Sequence, residues 1–306
     1  MYDIIGDVHG YAQPLKKLLK ELGYHKNNGS YSHPDRKVIF TGDFLNRGPQ
    51  IRKTVRIVRR MVENGNALAI LGNHEINAII AGIDDKKGNP LVQPPMKNFM
   101  SVLKTMNAFS KHEEEWKSHL KWMRTLPLFL ELEKIRVIHA CWNDQAVNFI
   151  RKNIPDEKIG KSIFRKIHKK PHSEIAQNIW HITKGLQFQM PGDLRIINNK
   201  GVAPRSFRMK WWDCPEGKTF KEISFESKFE LPAYTVPAQI LPECEAYPAN
   251  APIVFFGHYC RHSGPFIIRP NVCCVDSCVT GTKVLTAYRW SGEKELLQAN
   301  LIQTKK

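Results

Sequence analysis

The residues able to do chemistry in this chain come in short clusters, each closing an apolar run: GDVHG at 6–10, GDFLNRGP at 42–49, GNHE at 72–75, IHACW at 138–142 and FFGHY at 255–259. Asp, Asn and His beside glycine form a donor set that holds divalent cations and leaves coordination open for water. Asp7 and His9 lie two apart after the first run and can face one ion from an extended loop. Asp43 ends the second run and can bridge two ions. Asn73 ends the third with a neutral carbonyl oxygen, and His139 and His258, each ending a later run, can complete the second ion. The neighbouring glycines permit tight turns and close backbone approach. Taken singly, an Asp or His after a strand is a cap or a satisfied surface group, and GNHE alone is a helix start. Repeated at successive strand ends, these residues predict a two-metal phosphoesterase site.

The elements that must position them follow from periodicity. MYDII (1–5) leads into the first cluster, and LKKLLKEL (15–22) then has helical spacing. KVIFT (37–41) leads into the second, followed by an amphipathic stretch over 51–63; ALAIL (67–71) leads into GNHE and INAIIAG. This rhythm predicts βαβ units and a largely parallel sheet. The clusters then fall at the carboxyl ends of strands, where open α/β sheets place ligand sites. From roughly 96 to 184 the pattern turns helical, broken by a strand pair near 128–139. The stretch 185–250 is rich in Pro, Gly and Asn, with alternating runs RSFRMKWW and TFKEISF. It is expected to form irregular β structure and loops over one edge of the site, an insert or lid within a single domain spanning 1–306. The β runs PIVFFGH, NVCCVDS and KVLTAYRW close the chain.

With 306 residues, 42% of them hydrophobic, the chain can bury a large core. Its longest apolar runs, such as KVIF and PIVFF, fall far short of the roughly 18 residues of a membrane-spanning helix. The opening strand already delivers Asp7, so no removable signal peptide is expected. Seven cysteines, an odd number, predict free thiols in a reducing, cytoplasmic setting. Cys273, Cys274 and Cys278 lack paired CxxC spacing, which argues against a structural zinc site. The net charge of +17 attracts nucleic acid, anionic lipid, nucleotide polyphosphates or acidic partners. Phe207, Trp211 and Trp212 lie within the most basic stretch and would suit base stacking. A solvated lysine-rich face is the simpler account, and no RNP pattern or arginine-rich tail adds to the nucleic-acid case.

GDxHG, GDxxxRGP, GNHE, an HA and a late GH together resemble the calcineurin-like metallophosphoesterase superfamily. Within it they resemble the phosphoprotein-phosphatase-type branch, which includes bacterial symmetrical diadenosine tetraphosphatases. The resemblance covers almost the whole chain, through HPDRKVIFTGDFLNRGP, RTLPLFL, RVIHACW, KWWDCP and TAYRW. It is specific for the superfamily and poorly specific for substrate. The implied fold is a four-layer α/β/β/α sandwich of two mixed sheets with flanking helices. The implied ligands are Asp7, His9 and bridging Asp43 for one divalent ion, and Asp43, Asn73, His139 and His258 for the other. Manganese stands first, with iron or zinc as alternatives that a mixed N/O set does not separate. The resemblance further implies attack by a metal-bridged hydroxide, phosphate binding by Arg47 and Asn73, and leaving-group protonation by His74. Glu75 reads as structural, and Asp276 as either a residue near the site or a turn cap. Arg208 and Lys210 are candidates for a second phosphate contact; His262 and Cys141 lie close to ligands with no chemistry assigned.

One residue departs from the family pattern GDxxDRG, whose second Asp hydrogen-bonds the histidine of GNHE. Asn46 stands in its place. An amide can accept through its carbonyl but brings no charge to stabilise an imidazolium. His74 is therefore expected to be a weakened general acid. Substrates with good leaving groups, aryl phosphates or phosphoanhydrides, should suffer less than alkyl phosphoserine esters. The leading expectation is a metal-dependent phosphatase acting on phosphomonoesters, phosphoproteins included. Its rivals are a symmetrical dinucleoside polyphosphate hydrolase and a non-catalytic, basic nucleic-acid or partner-binding protein on a degenerate phosphatase scaffold. The expected partners are thus a phosphorylated small molecule, a nucleotide or a phosphoprotein.

Overall fold

The computed structural model describes residues 1–92, 100–155, 158–191, 206–225, 231–242, 245–262, 264 and 266–305. Its strands are short, and many are apolar on both faces, which marks sheets covered on two sides. In the first sheet, β1 (Tyr2–Ile5), β4 (Lys37–Phe40) and β5 (Ala67–Ala69) run parallel. Beside β1 lie β13 (Thr286–Trp290) and then β14 (Leu301–Gln303), each antiparallel to its neighbour. The second sheet repeats the plan: β7 (Ile135–Ile138), β10 (Ile253–Phe256) and β12 (Val272–Cys274) are parallel, with antiparallel β6 (Phe129–Glu131) and β11 (Ile267–Arg269) at the edges.

Strand side chains alternate between two cores. Ile4, Ile39, Ile135, Val137, Ile253 and Phe255 pack together between the sheets. Ile5, Val38, Phe40, Ile138, Val254 and Phe256 point the other way, into the larger cluster that includes helix residues. Two mixed sheets back to back beneath helices give the expected four-layer α/β/β/α sandwich. Helix α1 (Ala12–Glu21) buries Leu15, Leu18 and Leu19, and α2 (Ile51–Glu63) buries Ile51, Val55 and Val58, the i, i+3, i+4 stripe of an amphipathic helix. The segment after β5 becomes α3 (Asn73–Ala81), followed by α4 (Met100–Phe109), α5 (Glu113–Met123), and then α6 (Asp144–Asn153), α7 (Lys161–Lys169) and α8 (Glu174–Lys184) beyond β7.

Two expectations for 185–250 change. Within TFKEISF, Phe220–Ile223 form a short helix, α9, where alternation predicted strand. The Thr219 hydroxyl accepts from Glu222 N–H while the Glu222 carboxylate takes Thr219 N–H, a capping box that outweighs a weak period-two pattern. The aromatic residues do not form a stacking platform: Phe207, Trp211 and Trp212 are each 2% exposed. Both tryptophans pack edge-on or tilted against Phe256, beside Tyr247 and Tyr259. The remaining described part contains β8 (Gln187–Gln189) paired with β9 (Ser206–Arg208). The expectations for 192–205, 226–230 and 243–244 lie outside the described residues.

Candidate active site

Parallel pairing brings the carboxyl ends of β1, β4, β5, β7 and β10 to one edge of the sandwich, and the ligand clusters sit on the loops that leave them. The loops are tightly wound. His9, Asp43, Asn46, Arg47 and His258 all have positive φ, between 43° and 62°, a region that costs non-glycine residues roughly 1–2 kcal/mol each. Close approach enforces glycine at 257, where a Cβ would fall 2.1 Å from Asp7 Oδ1.

The six predicted ligands converge. Three imidazole Nε2 atoms surround Asp43 Oδ2: His139 at 3.4 Å, His74 at 3.8 Å and His9 at 3.9 Å. His9 Nε2 is also 3.7 Å from Asp7 Oδ2, and His139 Nε2 is 3.2 Å from Asn73 Oδ1. The His139 and His258 rings meet at 5.2 Å, and His258 N–H donates to Asp7 Oδ1 at 3.1 Å. The outer ring nitrogens are fixed by backbone. His9 Nδ1 donates to Leu45 O at 3.1 Å and His139 Nδ1 to Thr41 O at 2.7 Å, which turns each Nε2 lone pair inward as metal-ligating histidines require.

Electrostatics point the same way. Burial and then Asp276 drive the Asp7 carboxyl well above its usual range, while burial and Asp43 raise Asp276. Burial works against the Asp43 carboxylate too, yet His139 and His74 hold it well below the usual range. Burial pushes His9 down to about 3; for His139 burial is overcome by Asp43, and the imidazole rises to about 10. The buried carboxylates draw positive charge onto His139, a charge that divalent cations bound among them would supply instead. The donor set fits two such ions. Ligating groups cluster as His9, Asp43 and His74 on one side and Asp43, His139 and His258 on the other.

Glu75 is tied to the backbone. Its carboxylate accepts from Asp43 N at 2.7 Å, Gly72 N at 3.0 Å and Leu45 N at 3.1 Å, clamping the GDFLN loop onto the start of α3. A cavity of about 290 Å³ opens onto this cluster, and its wall includes Arg47, Lys184, Gln187 and Arg208. Arg208 Nη1 donates to His258 O at 2.7 Å, which ties β9 to the loop leaving β10. Lys184, from the end of α8, went unforeseen; no local motif marks it. Lys210 does not reach the cavity, because its ammonium donates to Glu222 O at 2.8 Å on α9. Asp276 lines the cavity and also caps a turn, accepting from Cys278 N at 2.8 Å, so both of its readings hold. Cys141 is buried.

The Asn46 side-chain amide meets His74 Nδ1 on one side and the Thr105 hydroxyl on the other, and the Thr105 oxygen also takes Asn46 N–H at 3.2 Å. Thr105 comes from α4, and no sequence signal pointed to it. The amide brings no charge to stabilise an imidazolium, Arg47 Nη2 lies 3.4 Å from Nε2, and burial lowers the affinity of the imidazole for a second proton.

The cysteine expectation is also corrected. Cys260 and Cys278 form a disulfide, with a Cα–Cα distance of 4.9 Å. Parallel pairing of β10 with β12 sets their two exit loops side by side, a proximity that a spacing of 18 residues does not reveal. Among the described residues, Cys214, Cys273 and Cys274 are free thiols. Among the described residues, no helix is long and apolar enough to cross a membrane.

Comparison with known proteins agrees with this geometry. In sequence, the chain is similar to the asymmetrical bis(5'-nucleosyl)-tetraphosphatase PrpE of Oceanobacillus iheyensis, with 32% identity over 164 residues, 52% of this chain and 58% of the relative. It is also similar to the symmetrical bis(5'-nucleosyl)-tetraphosphatase of a Marinomonas species, with 25% identity over 166 residues and 52% of each chain covered. The match thus spans little more than half the length of these relatives. The fold is similar to that of the cold-active protein-tyrosine phosphatase of a psychrophilic Shewanella, with a TM-score of 0.55 over 99% of this chain and 80% of that one, at 14% identity. A model of calcineurin-like phosphoesterases matches residues 2–261, and the chain belongs to that family.

Proposed function

We propose that this protein is a metal-dependent hydrolase of phosphoric anhydrides, with dinucleoside polyphosphates as its substrate class. The observation that carries this reading is the Asn46–His74 contact. An alkyl phosphomonoester needs its leaving oxygen protonated, whereas an anhydride expels a phosphate that is already a stable oxyanion. A buried His74 whose Nδ1 partner is an uncharged amide is poorly suited to the first task and sufficient for the second. The similarity to tetraphosphatases supports the same choice.

Asp7, His9 and Asp43 would hold one cation, and Asp43, Asn73, His139 and His258 the second. When bound, the pair supplies Lewis acidity and an activated water. The chain's own residues do the rest. Arg47 presents a planar fork to the phosphoryl group under attack, with Asn73 beside it, and Arg208 and Lys184 meet the neighbouring phosphates. Thr105 fixes the Asn46 amide, and Asn46 fixes the His74 ring. The three cations along one wall give a chain of phosphates more contacts than a single phosphoryl group could use.

Aryl phosphomonoesters are the second reading, favoured by the same weak acid. Turnover of diadenosine tetraphosphate, an aryl phosphate and a phosphopeptide with added manganese separates the two, with Asp43→Ala as the blank. The anhydride should be turned over fastest, and product separation shows whether the cut is symmetrical. Faster turnover of the phosphopeptide, or activity retained in Asp43→Ala, would sink the proposal.

A further inference from the structure

A second group of ligating atoms lies beside the proposed hydrolytic centre, and that chemistry makes no use of it. Cys260 Sγ, Cys278 Sγ and a ring nitrogen of His262 all lie within 4.8 Å of one another. Both cysteines line the substrate cavity. They follow His258 and Asp276 by two residues each, on the loops leaving β10 and β12. Backbone holds them in place as well as the disulfide: Cys278 N–H donates to Asp276 Oδ1, and Gly281 N–H donates to Cys278 O. The His262 ring rests over Gly281, where a Cβ would come 3.5 Å from its Cε1. His262 is exposed and Cys278 buried, so the group opens to solvent on its histidine side.

We propose that Cys260, Cys278 and His262 form a site for a thiophilic divalent cation of the zinc class, available only when the disulfide is reduced. A dithiol reductant delivers two electrons and two protons to the S–S bond, leaving two thiols here and a disulfide on the reductant. Cation binding then releases the two thiol protons. Tetrahedral zinc takes sulfur at about 2.3 Å and nitrogen at about 2.0–2.1 Å, which sets ligand atoms roughly 3.5–4 Å apart. Side-chain rotation separates the sulfurs to that spacing, and the third ligand already lies within the 4.8 Å envelope. The fourth position faces solvent.

Softness separates the two centres. The Asp, His and Asn cluster contains no sulfur and suits harder ions, whereas thiolates select zinc. The redox state of one bond thus decides whether a cation sits in the wall of the cavity, near Arg208 and Asp276. This inference stands apart from the proposed hydrolase activity, and its test uses no turnover.

The test is a cobalt(II) titration of the full chain, preloaded with manganese, after dithiothreitol treatment and anaerobic removal of the reductant. Thiolate-to-cobalt charge transfer in the near ultraviolet is a signature the sulfur-free cluster cannot give. One equivalent is expected in the reduced protein and none in the oxidised protein. The band should vanish in Cys260→Ser and in Cys278→Ser, and cobalt affinity should fall about tenfold or more in His262→Ala. His262→Ala keeps the disulfide, so it serves even where the cysteine variants fold poorly. Absence of the band from the reduced protein would overturn the proposal. So would its persistence in Cys260→Ser, or an unchanged affinity in His262→Ala.

Discussion

The proposed substrate preference turns on the pairing of Asn46 with His74. The uncharged amide at Nδ1 offers no charge to stabilise an imidazolium. Asn46→Asp replaces it with an anionic acceptor and supplies a partner for imidazolium. A positioned general acid contributes ~10²–10⁴-fold, and only substrates with poor leaving groups draw on it. The variant should therefore raise kcat/KM for an alkyl phosphomonoester by roughly tenfold or more and leave an aryl phosphate nearly unchanged. Steady-state kinetics on the two esters checks this, and equal gains on both would contradict it. The candidate ligands could be picked out because they close successive strands, nearly all of them beside glycine. Thr105 was not, because its contact with Asn46 spans 59 positions and arises only when α4 packs over the loop. The Cys260–Cys278 bond was hidden for the same reason, since strand pairing brings the two residues together.

At the scale of elements, α2 and α5 are joined through one carboxylate. Glu115 accepts from Arg52 Nε at 2.7 Å and from Arg56 Nε at 2.5 Å, with His119 Nε2 at 3.3 Å. Burial raises its pKa, but the hydrogen bonds from Arg56, Arg52 and His119 prevail and bring it down to about 2. The folded protein therefore releases this proton more readily than the unfolded chain, whose glutamates titrate near ~4.3. The resulting stability is fully present above that value and is lost as pH falls from about 5 towards 2. Solvent screening holds the effect to about 1 kcal/mol or less. In thermal melts, Glu115→Gln should flatten the decline of Tm across that window and leave the slope above pH 6 unchanged. Helices and strands of the first half were legible from apolar spacing, as in α2. The short α9 was misread, although its T-x-x-E capping signature is present at 219–222. Alternating aromatics around Trp211 and Trp212 look alike in sequence whether they stack on bases or fill a core.

Across the whole molecule, the end of the first sheet remote from the site is closed by a buried ion pair. Arg36 Nε donates to Asp3 Oδ2 at 2.9 Å, and its Nη2 donates to Tyr2 O and Trp290 O, each at 2.8 Å. Tyr24 donates to the same Asp3 oxygen at 2.9 Å. Removing the guanidinium leaves the buried carboxylate only Tyr24 and Arg289, whose Nε lies 3.5 Å from Oδ1, so Arg36→Met should cost about 3 kcal/mol in urea unfolding. Because the pair lies at the opposite ends of the strands, kcat of the folded variant should match the parent. The sandwich itself was legible, because strand–cluster–helix rhythm and doubly apolar strands leave few alternatives. Its edges were not, since β13 and β14 join the N-terminal strands from the far end of the chain. The same circularity bears on how the protein is made. Asp7 accepts from the backbone amide of His258, 251 residues later, so the candidate cation cage is a seam between segments far apart in the sequence. A nascent chain halted after β7 already carries Asp7, His9, Asp43, Asn73 and His139, but it has neither His258 nor the strand that closes the first sheet. On the proposed ligand set, full cation capture waits until the segment carrying His258 has been made and docked, so the ions would join parts of the fold that form at different times.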